Sequence, residues 1–160
     1  MTLDDRTHRA SSYVPAPPSA VYEALVDAHS LAQWLPPTGA TCRVDLFEPW
    51  EGGRFKFTLT FAAHPGKSGS FTDEVHGRFV ELEPGARVVQ EISFQSADPA
   101  FAGIMTMDWR LTVNGDGTRV AVVADRVPSG ISREEHEQGM ASTLANLARF
   151  VGHSAEPLPD

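Results

Sequence analysis

From residue 40 to residue 127 the chain alternates apolar and polar side chains again and again, then gives way to one long helical pattern over 132–151. Period-two alternation marks a strand covered on one face, while recurrence at three and four residues marks a helix covered along one stripe. In 53–61, Phe55, Phe57, Leu59 and Phe61 share one face, and Arg54, Lys56, Thr58 and Thr60 the other. Met105, Met107, Trp109, Leu111 and Val113 alternate with Thr106, Asp108, Arg110 and Thr112, and the turn Asn114-Gly115-Asp116-Gly117 leads to Val120, Val122 and Ala124, which makes a long hairpin. Further strands are expected over 7–14, 40–47, 74–83 and 87–95. In 74–83, Val75 and Phe79 lie on one parity, Val80 and Leu82 on the other. A bulge near Glu81 reconciles them, and which parity faces inward stays open.

Between the first two strands, Pro18 or Ser19 opens a short helix with Val21, Tyr22, Leu25 and Val26 on one side. A second, 30–35, is stopped by Pro36-Pro37. In the long helix, Ser132 with Glu135 forms a capping box, Glu134 and Glu137 add negative charge near the positive end of the dipole, and Arg149 sits in the last turn. Met140, Thr143 or Leu144, Leu147 and Val151 make its apolar stripe. Gly139 costs about 1 kcal/mol against alanine there, which points to a close backbone approach, to room left for something else, or simply to a tolerated glycine. The expected class is α+β: a curved seven-stranded antiparallel sheet wrapped around a long C-terminal helix, with two short helices between strands 1 and 2. One rod about 10 Å thick cannot fill the concavity of such a sheet, so an internal cavity is expected.

Composition closes off several function classes. A formal charge of −8 with no basic stripe argues against nucleic acid and anionic membrane surfaces. No apolar run is long enough to span a membrane, and residues 1–10 carry two aspartates in place of a secretory apolar core, so a cytoplasmic location is expected. The expected organisation is a loose N-terminus over 1–6, one domain over 7–152 and a tail over 153–160. His8, His29, His64, His76, His136 and His153 show no metal-binding spacing, so neither a metal nor another cofactor is expected. Cys42 reads as a small buried hydrophobe rather than a nucleophile, and Lys56 as a solvated amine.

Several phrases carry a resemblance over about residues 9–151. They are Ala16-Pro17-Pro18-Ser19-Ala20-Val21-Tyr22-Glu23-Ala24-Leu25-Val26-Asp27, Leu31-Ala32-Gln33-Trp34, Trp50-Glu51-Gly52-Gly53-Arg54-Phe55, Gly77 with Leu82-Glu83-Pro84, and Gly117-Thr118-Arg119-Val120. With Gly139-Met140, Leu144 and Leu147 they resemble the START-like, helix-grip (SRPBCC) superfamily, in the branch similar to the activator of the heat-shock protein 90 ATPase. Leu35 and Met140 stand where members of that branch often carry tryptophan. The resemblance implies the helix-grip fold and a choice of roles: binding lipids, polyketides or aromatic metabolites, polyketide cyclase-like chemistry, or assisting chaperones. Nothing in the chain resembles the additional domain of the chaperone activator proper.

The leading expectation is binding of a small hydrophobic molecule between sheet and helix, by Phe55, Phe57, Phe94, Met105, Met107, Trp109, Met140 and Leu144, with Gln90 as an inward polar residue. Trp34 and Trp50 are expected to cover one end of the sheet. The alternative is a cyclase, aromatase or dehydratase, in which Arg126, His76 or His136 polarises a carbonyl in the same cavity; a chaperone-associated interaction module comes third. Whether the chain forms a homodimer is left open.

Overall fold

The computed structural model describes residues 6–36, 39–62 and 71–155. Residues 1–5, Pro37, most of the polar loop expected over 62–70 with His64, and the end of the tail lie outside the described residues, as does the side chain of His153. Seven strands and three α-helices follow in the order β1 (His8–Val14), α1 (Pro18–Leu25), α2 (Ala28–Trp34), β2 (Ala40–Phe47), β3 (Arg54–Phe61), β4 (Thr72–Glu83), β5 (Arg87–Phe94), β6 (Met105–Asn114), β7 (Gly117–Asp125) and α3 (Arg133–Ala155). A single 3-10 turn, Pro99–Phe101, lies between β5 and β6. All neighbouring strands are antiparallel, in the order β1-β7-β6-β5-β4-β3-β2. Six strands form a meander, and β1 closes it on the far side of β7. This is the curled antiparallel sheet that the alternation implied, in the α+β helix-grip arrangement that the resemblance implied.

Local chemistry accounts for the boundaries. Proline at the first position opens α1, whose missing N–H would have had no partner there. Asp27 caps α2 by accepting from the Ser30 backbone N–H at 2.9 Å, so this helix starts two residues earlier than the apolar pattern suggested. Ser132 caps α3 by accepting from the Glu135 N–H at 3.1 Å. α3 runs to Ala155, past the expected stop at Val151. Arg6, assigned by sequence to a loose end, is tied down: its guanidinium donates to the carbonyls of Pro128 at 2.7 Å and Ile131 at 3.0 Å.

The bulge in β4 is present. Phe79 pairs with Gln90 and Glu81 with Val89, which leaves Val80 as the extra residue. Val75 and Phe79 are buried before the bulge, and Leu82 sits opposite buried Val88 after it, so the inward parity switches at Val80, itself 39% exposed. Gly77 faces inward between Val75 and Phe79, opposite Phe55. A Cβ at Gly77 would lie 2.1 Å from the Phe55 ring, so the missing side chain is what lets the aromatic lie across β4 where the sheet bends.

α3 lies alongside β1. His8 meets His136 near the start of both, and Gly152 meets Pro15 near their ends. Seven residues of strand and sixteen of helix each span roughly 23–24 Å, so the two advance together. The backbone of α3 comes close to β1, α1 and α2, while β3 to β6 do not approach it as closely. The helix therefore leans on one edge of the curl and stands off from its middle.

Candidate functional site

Under the N-terminal half of α3 that stand-off leaves a cavity of about 660 Å³. Its floor is the concave face of β3 to β6: Phe55, Phe57, Phe94, Met105, Met107 and Trp109 all line it, as alternation predicted. Met140 forms part of the roof, with His136, Gly139 and Thr143. These positions follow one another at three- and four-residue steps, so a single helical face looks down into the hollow. Ser132, Glu135 and Gly139 also reach solvent, which places the mouth along the first turns of α3. A Cβ at Gly139 would meet nothing within 4 Å, so no close backbone approach requires this glycine, and there is open space beside it.

Several expected site residues sit elsewhere. Leu144 is fully buried, but it belongs to the closed core and does not line the cavity, because it lies one residue round the helix from Thr143. His76 points to the convex face, where it meets Glu74 at 3.1 Å; on the even parity of β4, ahead of the bulge, it cannot reach the interior. Arg78 shares that face and pairs with Glu91 at 2.7 Å. Arg126 was expected to continue the inward parity of β7. Instead it adopts a left-handed backbone (φ 57°), which breaks the alternation: its side chain turns out to Thr106, and Val127 goes in. Two of the three candidate catalytic groups thus lie on the outer surface.

Other residues enter the wall without having been expected there. Trp34, assigned to cover one end of the sheet, instead lines the cavity. Its N–H donates to the Ala24 carbonyl at 2.9 Å, and its ring meets Trp109 edge-on at 6.1 Å. Asp73, 3% exposed, lines the cavity from the start of β4. No apolar pattern marks a lone aspartate beside a loop. Trp50 is 58% exposed. Cys42 is half-buried, and burial pushes its thiol up to about 11, with Asp45 adding to the shift; the thiolate is suppressed, as its structural reading requires.

The polar end of the cavity is ordered by a short chain of donors. Arg6 Nη2 lies 3.4 Å from His8 Nε2, and His8 Nδ1 lies 2.8 Å from His136 Nδ1. A guanidinium can only donate, so His8 Nε2 accepts. Gln90 is 8% exposed, and its Oε1 accepts from the Trp109 N–H at 3.0 Å. Among the described residues, no group of three or more His, Cys, Asp or Glu could hold a metal ion. Nor is any described helix long and apolar enough to cross a membrane.

A crystal structure of protein CV1439 from Chromobacterium violaceum is 30% identical, with a TM-score of 0.83 over 97% of this chain and 99% of that one. A protein from Rhodobacter sphaeroides, 19% identical, gives a TM-score of 0.78 over 94% of each chain. DynU16, described as a putative protein in the dynemicin biosynthetic locus, is 22% identical, with a TM-score of 0.65 over 94% of this chain and 48% of that one. A comparison with curated proteins finds no match. The model of the family described as Activator of Hsp90 ATPase homolog 1-like protein matches residues 15–152, most of the chain, and the chain belongs to that family.

Proposed function

We propose that the protein binds a small hydrophobic molecule, a lipid, polyketide or aromatic metabolite, in the cavity beneath α3, and does so in the cytoplasm. The observation that carries this reading is the hollow itself: about 660 Å³, floored by aromatic and methionine side chains and open along one side. That volume falls within the range of small-molecule sites, and an unbranched thioether adapts to guests of different outline. Both tryptophans in the wall have their N–H groups bonded to protein, so they offer the cavity their apolar faces. The occurrence of this fold in a protein of the dynemicin biosynthetic locus is in keeping with a polyketide-sized guest. Of the three groups an enzymatic reading would use, Arg126 and His76 lie on the outer surface and His136 lines the cavity, which supports binding better than catalysis.

A thermal-shift panel of fatty acids, aromatic polyketides and steroids tests the proposal. A guest at a hundred times its Kd stabilises by about 2.7 kcal/mol, which raises the Tm of a chain this size by roughly 5–10 °C. Met107→Arg on the floor and Met140→Arg on the roof each put an unpaired charge into the hollow, and both are expected to abolish the shift. A shift retained in both variants places the guest elsewhere.

A further inference from the structure

Gln90 is the inward polar residue whose chemistry the core leaves half used. It is 8% exposed, lies at the middle of β5 opposite Met107 and Phe79, and lines the cavity. Its amide orientation is fixed: the Trp109 indole N–H has no acceptor capacity, so the atom facing it at 3.0 Å must be the Gln90 oxygen. The amide nitrogen is left on the other side, with two N–H groups and no hydrogen bond to any described residue. No buried side-chain nitrogen or oxygen among the described residues lacks a partner, so this nitrogen must touch accessible space, and the space in front of Gln90 is the cavity. A donor pair thus stands on a floor otherwise built of Phe57, Met105 and Met107, held by a partner that cannot let it flip.

Building on the binding role proposed above, we infer that the guest carries a neutral acceptor oxygen, a ketone, quinone or ester carbonyl, seated against the Gln90 amide nitrogen. An amide N–H donates to such an oxygen without needing a compensating charge. A carboxylate at that depth needs a cation, and no arginine or lysine lines the cavity among the described residues. The remaining polar wall groups are Asp73, Ser132, Glu135, His136 and Thr143. Asp73 and Glu135 are acidic side chains, so neither supplies a cation for an anionic guest. A fully apolar guest would displace water from the Gln90 N–H groups and give nothing back, so it is discriminated against even though it fills the same volume.

Two rigid tricyclic probes of nearly equal size, 9-fluorenone and fluorene, separate the outcomes. Binding is measured by equilibrium dialysis, and the Gln90 side-chain ¹⁵NH₂ pair is followed by NMR in the intact protein. Fluorenone is expected to bind about tenfold tighter than fluorene. It should also displace the Gln90 amide resonances while fluorene leaves them near their free positions, and Gln90→Leu should bring the two affinities together. Equal affinities in the wild-type protein, or Gln90 resonances unmoved by fluorenone, would overturn the anchor and leave the hydrophobic-binding reading standing. Failure of both probes to bind would overturn the anchor and that reading together.

Discussion

The two halves of α3 face the same sheet and yield opposite interiors. In the C-terminal half, Leu144 and Leu147 are fully buried and Val151 nearly so, beside the end of β1 where Val14 is equally closed. In the N-terminal half the corresponding face overlooks a hollow, and the floor keeps small residual exposures: 9% at Met107, 8% at Gln90, 7% at Phe57 and Ile92. The difference is a filler. α1 approaches α3 on one side and β5, β6 and β7 on the other, with its Val21 and Ala24 buried between them and its Leu25 at the cavity wall. Among the described residues, the space under residues 136–143 is bordered rather than filled, with Leu31 and Trp34 of α2 in its wall. A helix held to one sheet edge leaves either a closed core or a hollow, depending on what packs beneath it.

This contrast can be broken most sharply by truncation. Leu147→Ala opens a hole in close-packed surroundings and should cost about 2–5 kcal/mol in chemical denaturation, whereas Met107→Ala enlarges a space that already exists and should cost under about 2. Equal losses would mean that the two halves pack alike. Next in size is Gly139. Because its Cβ would meet nothing, Gly139→Ala should stabilise the free protein by up to about 1 kcal/mol, seen as a small rise in Tm. Gly139→Phe, projecting over the mouth, should instead weaken guest binding without unfolding the chain. The smallest effect belongs to the convex face, which serves neither half. Arg87 meets Asp108 at 2.8 and 3.0 Å with Arg110 nearby, and these guanidiniums, Arg87 foremost, hold the Asp108 carboxyl below its ordinary range. Its contribution is therefore fully present above the unfolded carboxylate range, near pH 4, and is lost as pH falls through the depressed folded value. Asp108→Asn should cost about 1 kcal/mol or less at pH 7, and the gap to wild type should close on acidification.

Much of this architecture was legible in the chain because it is written in period two. Each of the seven strands was anticipated, and the inward parities of β3, β5 and β6 put most of the cavity floor in place before any coordinates. What escaped depends on single backbone torsions or on packing between distant elements. A left-handed Arg126 reverses an otherwise sound extrapolation along β7. One extra residue at Val80 decides that His76 looks outward, and composition could not have said on which side of it the switch falls. Leu144 and Thr143 are neighbours on one stripe, yet only Thr143 lines the cavity, while Leu144 is fully buried. Trp34 reaches the cavity because α2 docks beside α3, where the Asn146 side chain donates to the Pro36 carbonyl at 3.1 Å. No local pattern encodes that contact.

The central claim is that the N-terminal half of α3 roofs a hollow able to hold an apolar guest. A crystal of the protein equilibrated with pressurised xenon measures this most directly, because a polarisable atom with no hydrogen-bonding capacity settles only where apolar walls leave space. Xenon density is expected between Met107 and Met140, and none around Leu147. A crystal in which Met107 and Met140 have closed on each other, with no xenon beneath the helix, would contradict it.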